Sequence, residues 1–211
     1  SITADSEGDG LLITWSEVSD VDGYDLYTPD GDTILLDYDE TSYNDDTPSQ
    51  TGTYRVLTVS GSDYSSGVTI SSAPYVSTSN ATVYVWNSTE PSGFGWNVTT
   101  GIGEVYNCIS GNSSVIDFYL NDESRPFDFT TASDPPYSGS KTTHIADRGT
   151  SDFDLALDTG YSNTELAESG HYYAMNVEGD YYAKLYVVSV TTDESATFSY
   201  EFQTIQSFRL F

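Results

Sequence analysis

His171-Tyr-Tyr-Ala-Met-Asn-Val177, Tyr181-Tyr-Ala-Lys-Leu-Tyr-Val-Val-Ser-Val190 and Ala196-Thr-Phe-Ser-Tyr-Glu-Phe-Gln203 are three consecutive runs rich in aromatic and β-branched residues. Such residues suit a pleated surface. Glu178-Gly179-Asp180 closes the first pair, with a glycine free to take positive φ. In the third run Ala196, Phe198, Tyr200 and Phe202 alternate with Thr197, Ser199, Glu201 and Gln203. A strand points successive side chains to opposite faces, so this alternation predicts one buried and one wet face. The three runs read as an antiparallel meander, and the rest of the chain is built around it.

The same punctuation runs through residues 1–72. Leu11–Trp15, Tyr24–Tyr27, Thr33–Leu36, Thr41–Tyr43, Gly52–Val59 and Gly67–Ile70 are short strand-like runs separated by Asp-, Gly- and Pro-rich turns. That spacing is the signature of an immunoglobulin-like sandwich. Ser71-Ser-Ala-Pro74 marks a boundary. Beyond it, Ala81–Trp86, Phe94–Thr100, Glu104–Ile109, Ser114–Leu120, Phe127–Thr130 and Asp152–Leu157 read as further strands, and Thr131–Gly149 as a long loop. Thr164–Glu168 is the one place where a helical turn is expected. The fold class predicted is all-β, with a sandwich at 1–72 and a larger antiparallel β-sandwich at 73–211. The apolar C-terminal stretch Thr204–Phe211 extends the last strand, either within its own domain or against a neighbouring subunit.

Charge narrows the partners. The chain carries 33 acidic and 6 basic side chains, a net charge of −27, with 22 Asp against 11 Glu. A field of that sign repels phosphates and anionic lipid and attracts cations, so nucleic acid is not an expected partner. No apolar run approaches the length of a membrane span, so no membrane insertion is expected. Short Asp carboxylates in loops are calcium ligands, which makes Asp20, Asp22, Asp30 and Asp32 calcium candidates. Both pairs also sit where Asp and Gly serve ordinary turns, and neither has the spacing of an EF-hand loop. Both readings stay open. So does the alternative that the acidity serves salt adaptation or solubility.

Cys108 is the single cysteine, which excludes an internal disulfide and reads as a small buried hydrophobe. Four Asn-x-Ser/Thr sequons, at Asn80, Asn87, Asn97 and Asn112, point to a glycosylated, extracellular surface. The chain starts at Ser1, as expected of a mature product whose leader has been removed. Nucleophile elbows, zinc-protease helices, phosphate loops and dinucleotide glycine fingerprints are all missing from the sequence. With two His and one Cys there is little material for nucleophile–base pairs, and no two carboxylates single themselves out as a glycosidase pair. The expectation is a protein that is not an enzyme.

Two resemblances add to this reading. Trp15, Gly23-Tyr-Asp-Leu-Tyr27, Thr41-Ser-Tyr-Asn-Asp45 and Gly52-Thr-Tyr-Arg-Val56 together resemble a bacterial or archaeal fibronectin type III domain. The resemblance implies that Trp15 and Tyr54 are inter-sheet core and that the module spaces, displays or binds. Gly93-Phe-Gly-Trp96, Asp117-Phe-Tyr-Leu120, Gly170-His-Tyr-Tyr-Ala174 and Tyr181-Tyr-Ala-Lys-Leu185 are similar to secreted β-rich domains of the HmuY type, which are haem-binding lipoproteins. Haem would need axial His or Met, for which the chain offers His144, His171 and Met175. Neither histidine matches a ligand position of that family, so haem is not expected. Lys184, one of two lysines, reads as an ion-paired or snorkelling strand residue.

The function expected from all this is a structural subunit that assembles with itself into a surface filament, pilus-like fibre or layer, stabilised by calcium or salt. The alternative is a surface protein binding haem or carbohydrate, the latter through exposed Trp86, Trp96 or Tyr137.

Overall fold

A computed structural model describes residues 1–122 and 127–211. Antiparallel strands dominate them, with one 3₁₀ turn at Ser110–Asn112 and no α-helix among the described residues. Among the described residues no helix is long and apolar enough to cross a membrane. The chain forms two compact units: Ser1–Pro74 together with Ile205–Phe211, and Tyr75–Thr204.

The first unit has two sheets. One has the order β1 (Ile2–Ala4), β2 (Leu11–Thr14), β5 (Ser42–Asp45). The other has the order β4 (Thr33–Asp37), β3 (Gly23–Tyr27), β6 (Thr53–Ser60), with β7 (Asp63–Tyr64) and β8 (Val68–Ser71) both pairing β6. Alternation sends Leu11 and Ile13 of β2, Tyr24 and Leu26 of β3, and Tyr54 and Val56 of β6 into one core. Tyr54 is fully buried and donates from its hydroxyl to Asp45 Oδ2 at 2.6 Å, which supplies the partner a buried phenol needs. Trp15 is only partly buried, packing edge-on to Tyr24.

Phe208 and Leu210 complete that core. This corrects the expected boundary at 73–211 and the expected extension of the last strand. The final strand stops at Gln203 and the chain returns to the first unit. Arg209 N–H donates to Gly8 O at 2.8 Å, and its guanidinium to Glu7 O at 2.9 Å, tying the return in place.

In the second unit the organising meander is present as β17 (Tyr172–Val177), β18 (Tyr181–Thr191) and β19 (Ser195–Gln203). They form a sheet ordered β10 (Ala81–Tyr84), β19, β18, β17, β15 (His144–Asp147), with β9 (Tyr75–Val76) also on β19. The other sheet runs β12 (Gly103–Tyr106), β11 (Gly93–Trp96), β13 (Phe118–Asn121), β14 (Asp128–Thr131), β16 (Thr164–Leu166). Their facing sides share an aromatic core in which Phe94, Trp96, Phe118, Phe129, Phe198, Tyr200 and Phe202 meet largely edge to face. Ala196, Phe198, Tyr200 and Phe202 are all buried as the alternation requires, but Gln203 on the other face is buried too.

Three local expectations are corrected. Thr164–Leu166 is strand, not helical turn, because it pairs with β14 in register Asp128↔Leu166. Ladder hydrogen bonds outweigh weak local helix propensity. Asp152–Leu157 forms no ladder strand, and only its Phe153 and Ala156 are buried. The loop expected at 131–149 contains β15, which pairs with β17.

Candidate functional site

Residue by residue, β11 sets up the most distinctive site. Its sequence Gly93-Phe-Gly-Trp96 is buried throughout: Phe94 and Trp96 enter the aromatic core and the glycines face the other way. A Cβ on Gly95 would collide with Val115 O, so only glycine lets the 115–116 backbone lie against the strand. That approach carries Asp117 into the sheet, where its N–H donates to Phe94 O at 2.8 Å.

The Asp117 side chain is fully buried. Its Oδ2 accepts from Trp96 N–H at 2.8 Å and from Lys141 Nζ at 3.0 Å, and its Oδ1 accepts from the Thr143 hydroxyl at 3.1 Å. Burial, outweighing Lys141 and the other donors, holds this carboxyl above the ordinary aspartate range. Lys141 is itself only 13 % exposed. It opens onto a cleft of about 690 Å³ formed by the β11–β12 hairpin, Ser114–Val115 and the β17–β18 turn at Glu178. A second cavity of about 640 Å³ is the apolar seam between the sheets of the first unit, beside Trp15 and Tyr54.

The calcium candidates do not converge. Asp20 and Asp22 precede β3 and Asp30 and Asp32 follow it. Asp22 Oδ2 accepts Gly61 N–H at 2.6 Å, and both Asp30 oxygens accept from Ser49. Asp32 N–H donates to Thr28 Oγ1 at 3.2 Å. The Asp22 and Asp30 carboxylates thus tie the two ends of β3 to distant loops, and only the Asp32 bond closes its own turn. Among the described residues, Asp147, Glu168 and His171 are the group whose potential ligand atoms lie within 4.8 Å of one another. His171 Nδ1 is 3.0 Å from both Asp147 oxygens and 3.4 Å from Glu168 Oε2. Sequence reading missed this trio because Asp147 lies more than twenty positions before the Glu168–His171 segment that it meets. An imidazole among carboxylates suits a borderline ion such as zinc better than oxygen-seeking calcium.

His144 bonds Asn163 Oδ1 through Nδ1 at 3.0 Å and sits opposite Asn176, at the far end of β17 from His171. Met175 is enclosed in the core. The three haem-ligand candidates therefore do not face a common point. Of the carbohydrate candidates, Trp96 is 4 % exposed, a correction imposed by its place in the core. Trp86 and Tyr137 are half-buried and pack on each other at 5.7 Å. Lys184 is ion-paired with Glu201 at 3.0 Å and Asp152 at 3.2 Å, as its strand position implied. Asn80, Asn87 and Asn97 are exposed, whereas Asn112 is half-buried and its Nδ2 donates to Asn107 O at 2.9 Å.

Cys108 is half-buried and touches the space a Cβ on Gly93 would fill. Burial, countered by a hydrogen bond with Ser92, pushes its thiol up to about 11. The thiolate is the reactive form. Iodoacetamide at mildly alkaline pH will therefore label the native protein far more slowly than the urea-unfolded chain. Equal rates would show the thiol to be open and ionised.

The sequence matches no protein-family model and no curated protein. Among solved structures, a DUF4466 family protein from Parabacteroides merdae ATCC 43184 superposes with a TM-score of 0.49 at 11 % identity, covering 95 % of this chain and 94 % of its own.

Proposed function

We propose that this is an extracellular, non-enzymatic structural protein that assembles with copies of itself into a surface filament, pilus-like fibre or layer. The first unit acts as a fibronectin type III-like spacer, a reading supported by its two packed antiparallel sheets of short strands and its buried Tyr54. The second is a secreted β-domain of the HmuY-like kind, carrying no haem. One observation carries the assembly reading. The four most exposed large apolar side chains in strands are Leu35 at 75 %, Val68 at 68 %, Val76 at 59 % and Tyr64 at 58 %. They lie on β4, β8, β9 and β7, strands that pair on one side only among the described residues. Proteins that stay apart guard such edges with charge, proline or bulges, and an apolar open edge is a template for another chain.

A net charge of −27 opposes close packing of identical chains, so cations complete the mechanism. Calcium drawn to the acid-rich surface, or simple screening over about 8 Å at physiological salt, lowers that repulsion. Electron microscopy and sedimentation at low ionic strength test this directly. Calcium should give assemblies, EDTA should disperse them, and Val68→Lys should prevent them. A chain that stays monomeric with calcium and in high salt, at concentrations well above those of a secreted protein, refutes the reading.

A further inference from the structure

The cleft beside Lys141 holds a cation whose hydrogen-bonding capacity structural packing alone does not use. Lys141 has three N–H donors, yet among the described residues its ammonium meets a single acceptor, Asp117 Oδ2. A donor held largely out of water without partners costs about 1–3 kcal/mol, so this ammonium, on a side chain only 13 % exposed, favours an incoming acceptor. Taking an ion pair out of water is also a poor way to stabilise a sandwich. Its retention at the base of a cleft fits a binding role.

The rest of the lining fixes the chemistry of that acceptor. Glu104 and Glu178 bring carboxylates, and Thr99, Thr100 and Ser114 bring hydroxyls. Tyr106 donates to Glu104 Oε2 at 3.1 Å and presents a ring, while Val98, Ile102 and Val115 supply apolar surface. An anionic ligand would answer Lys141 but face both glutamates and the field of a −27 chain. A cationic ligand would answer the glutamates but face Lys141. Hydroxyl groups donate and accept, so a neutral polyol satisfies both signs at once. A sugar ring adds an apolar face for Tyr106 and Ile102. The volume lies within the range of small-molecule sites, about 300–1,000 Å³.

We infer that this cleft of the second unit is a binding site for a neutral saccharide, with Lys141 donating to its hydroxyls and Glu104 and Glu178 accepting from them. The site is independent of self-assembly, since it uses no strand edge named above.

The test is a titration of unglycosylated protein, because Asn97 also lines the cleft. Maltose, cellobiose and lactose are added separately at millimolar concentrations. The readout is the backbone amide cross-peaks of the lining residues Thr99, Thr100, Glu104 and Val115 in a nitrogen–proton correlation spectrum. At least one disaccharide should shift those peaks saturably. Ile102→Trp, at a residue 47 % exposed, fills the mouth without touching the core and should weaken binding by about tenfold or more, the worth of about 1.4 kcal/mol. Leu35→Ser, in the first unit, should leave it unchanged. Absence of a saturable shift with all three sugars, or a shift indifferent to Ile102→Trp, overturns the site. Tighter binding of glucuronate or phosphate than of the neutral sugars overturns its chemical class.

Discussion

Phe208→Ala should destabilise the first unit by about 3–5 kcal/mol, the range for removing a fully buried aromatic ring. Phe208 has no exposed surface and lies among Leu11, Ile13, Tyr24, Leu26 and Tyr54. It arrives there on a segment outside the named strands, held in part by Phe208 N–H to Ile205 O at 3.2 Å and by the Arg209 bonds to Glu7 and Gly8. The surrounding strands cannot close over the gap, because each is fixed in register with its neighbours. Deleting residues 205–211 should go further and melt the unit. Hydrogen exchange locates the damage: amides of β2, β3 and β6 should lose protection in both variants. If the terminus instead extended β19, as its sequence implies, the loss would fall on β18 and β19. Protection lost there and kept in the first unit would refute the assignment.

That contrast shows what a one-dimensional pattern encodes. Alternation in 196–203 assigns each side chain to a face, and the buried Phe198, Tyr200 and Phe202 follow it. It carries nothing about which body the next residues join. Thr204–Phe211 is visibly apolar, but its partners Leu11 and Tyr24 lie nearly two hundred positions away, and no period links them. Thr164–Leu166 failed for a related reason. Its strand character comes from the edge of β14, so nothing local announces it. Gly93 and Gly95 read only as a resemblance motif, yet they report the close approach of Cys108, Val115 and Ile116.

The site was less legible than the sheets, though not silent. Asp117 was one acid among 33, but it stands in Val115-Ile-Asp-Phe-Tyr-Leu120, where every neighbour is apolar. An Asp in such a run is rarely fully buried unless paired. With only two lysines in the chain, Lys141 was one of few possible partners. The Asp20, Asp22, Asp30 and Asp32 loops drew notice through acid density, yet the Asp22 and Asp30 carboxylates hold Gly61 and Ser49, and no three of the four come together among the described residues. Isolation in apolar surroundings marked the buried acid better than crowding marked an ion site.

Asp117→Ala is expected to cost about 3–5 kcal/mol, because it strands a nearly buried ammonium and leaves Trp96 N–H and the Thr143 hydroxyl without their acceptor. Adding Lys141→Met removes the orphaned charge. The double variant should therefore be more stable than Asp117→Ala alone, a coupling that urea denaturation of all four proteins measures. The pH dependence has a definite sign. Burial raises the Asp117 carboxyl above its unfolded value, so across that window the folded chain holds a proton that the unfolded chain has released. This group's contribution is most favourable below the unfolded value, about 3.9. It declines as pH rises through the raised folded value. Asp128 acts in the same direction, its burial outweighing the hydrogen bond from Thr130. Stability of the wild type should thus gain on acidification toward the ordinary aspartate range, and the gain should shrink in Asp117→Asn, which cannot titrate. Identical pH slopes for wild type and Asp117→Asn would mean that the carboxylate is as comfortable inside the sheet as in water, and the claim of a costly buried charge beneath the cleft would fail with it.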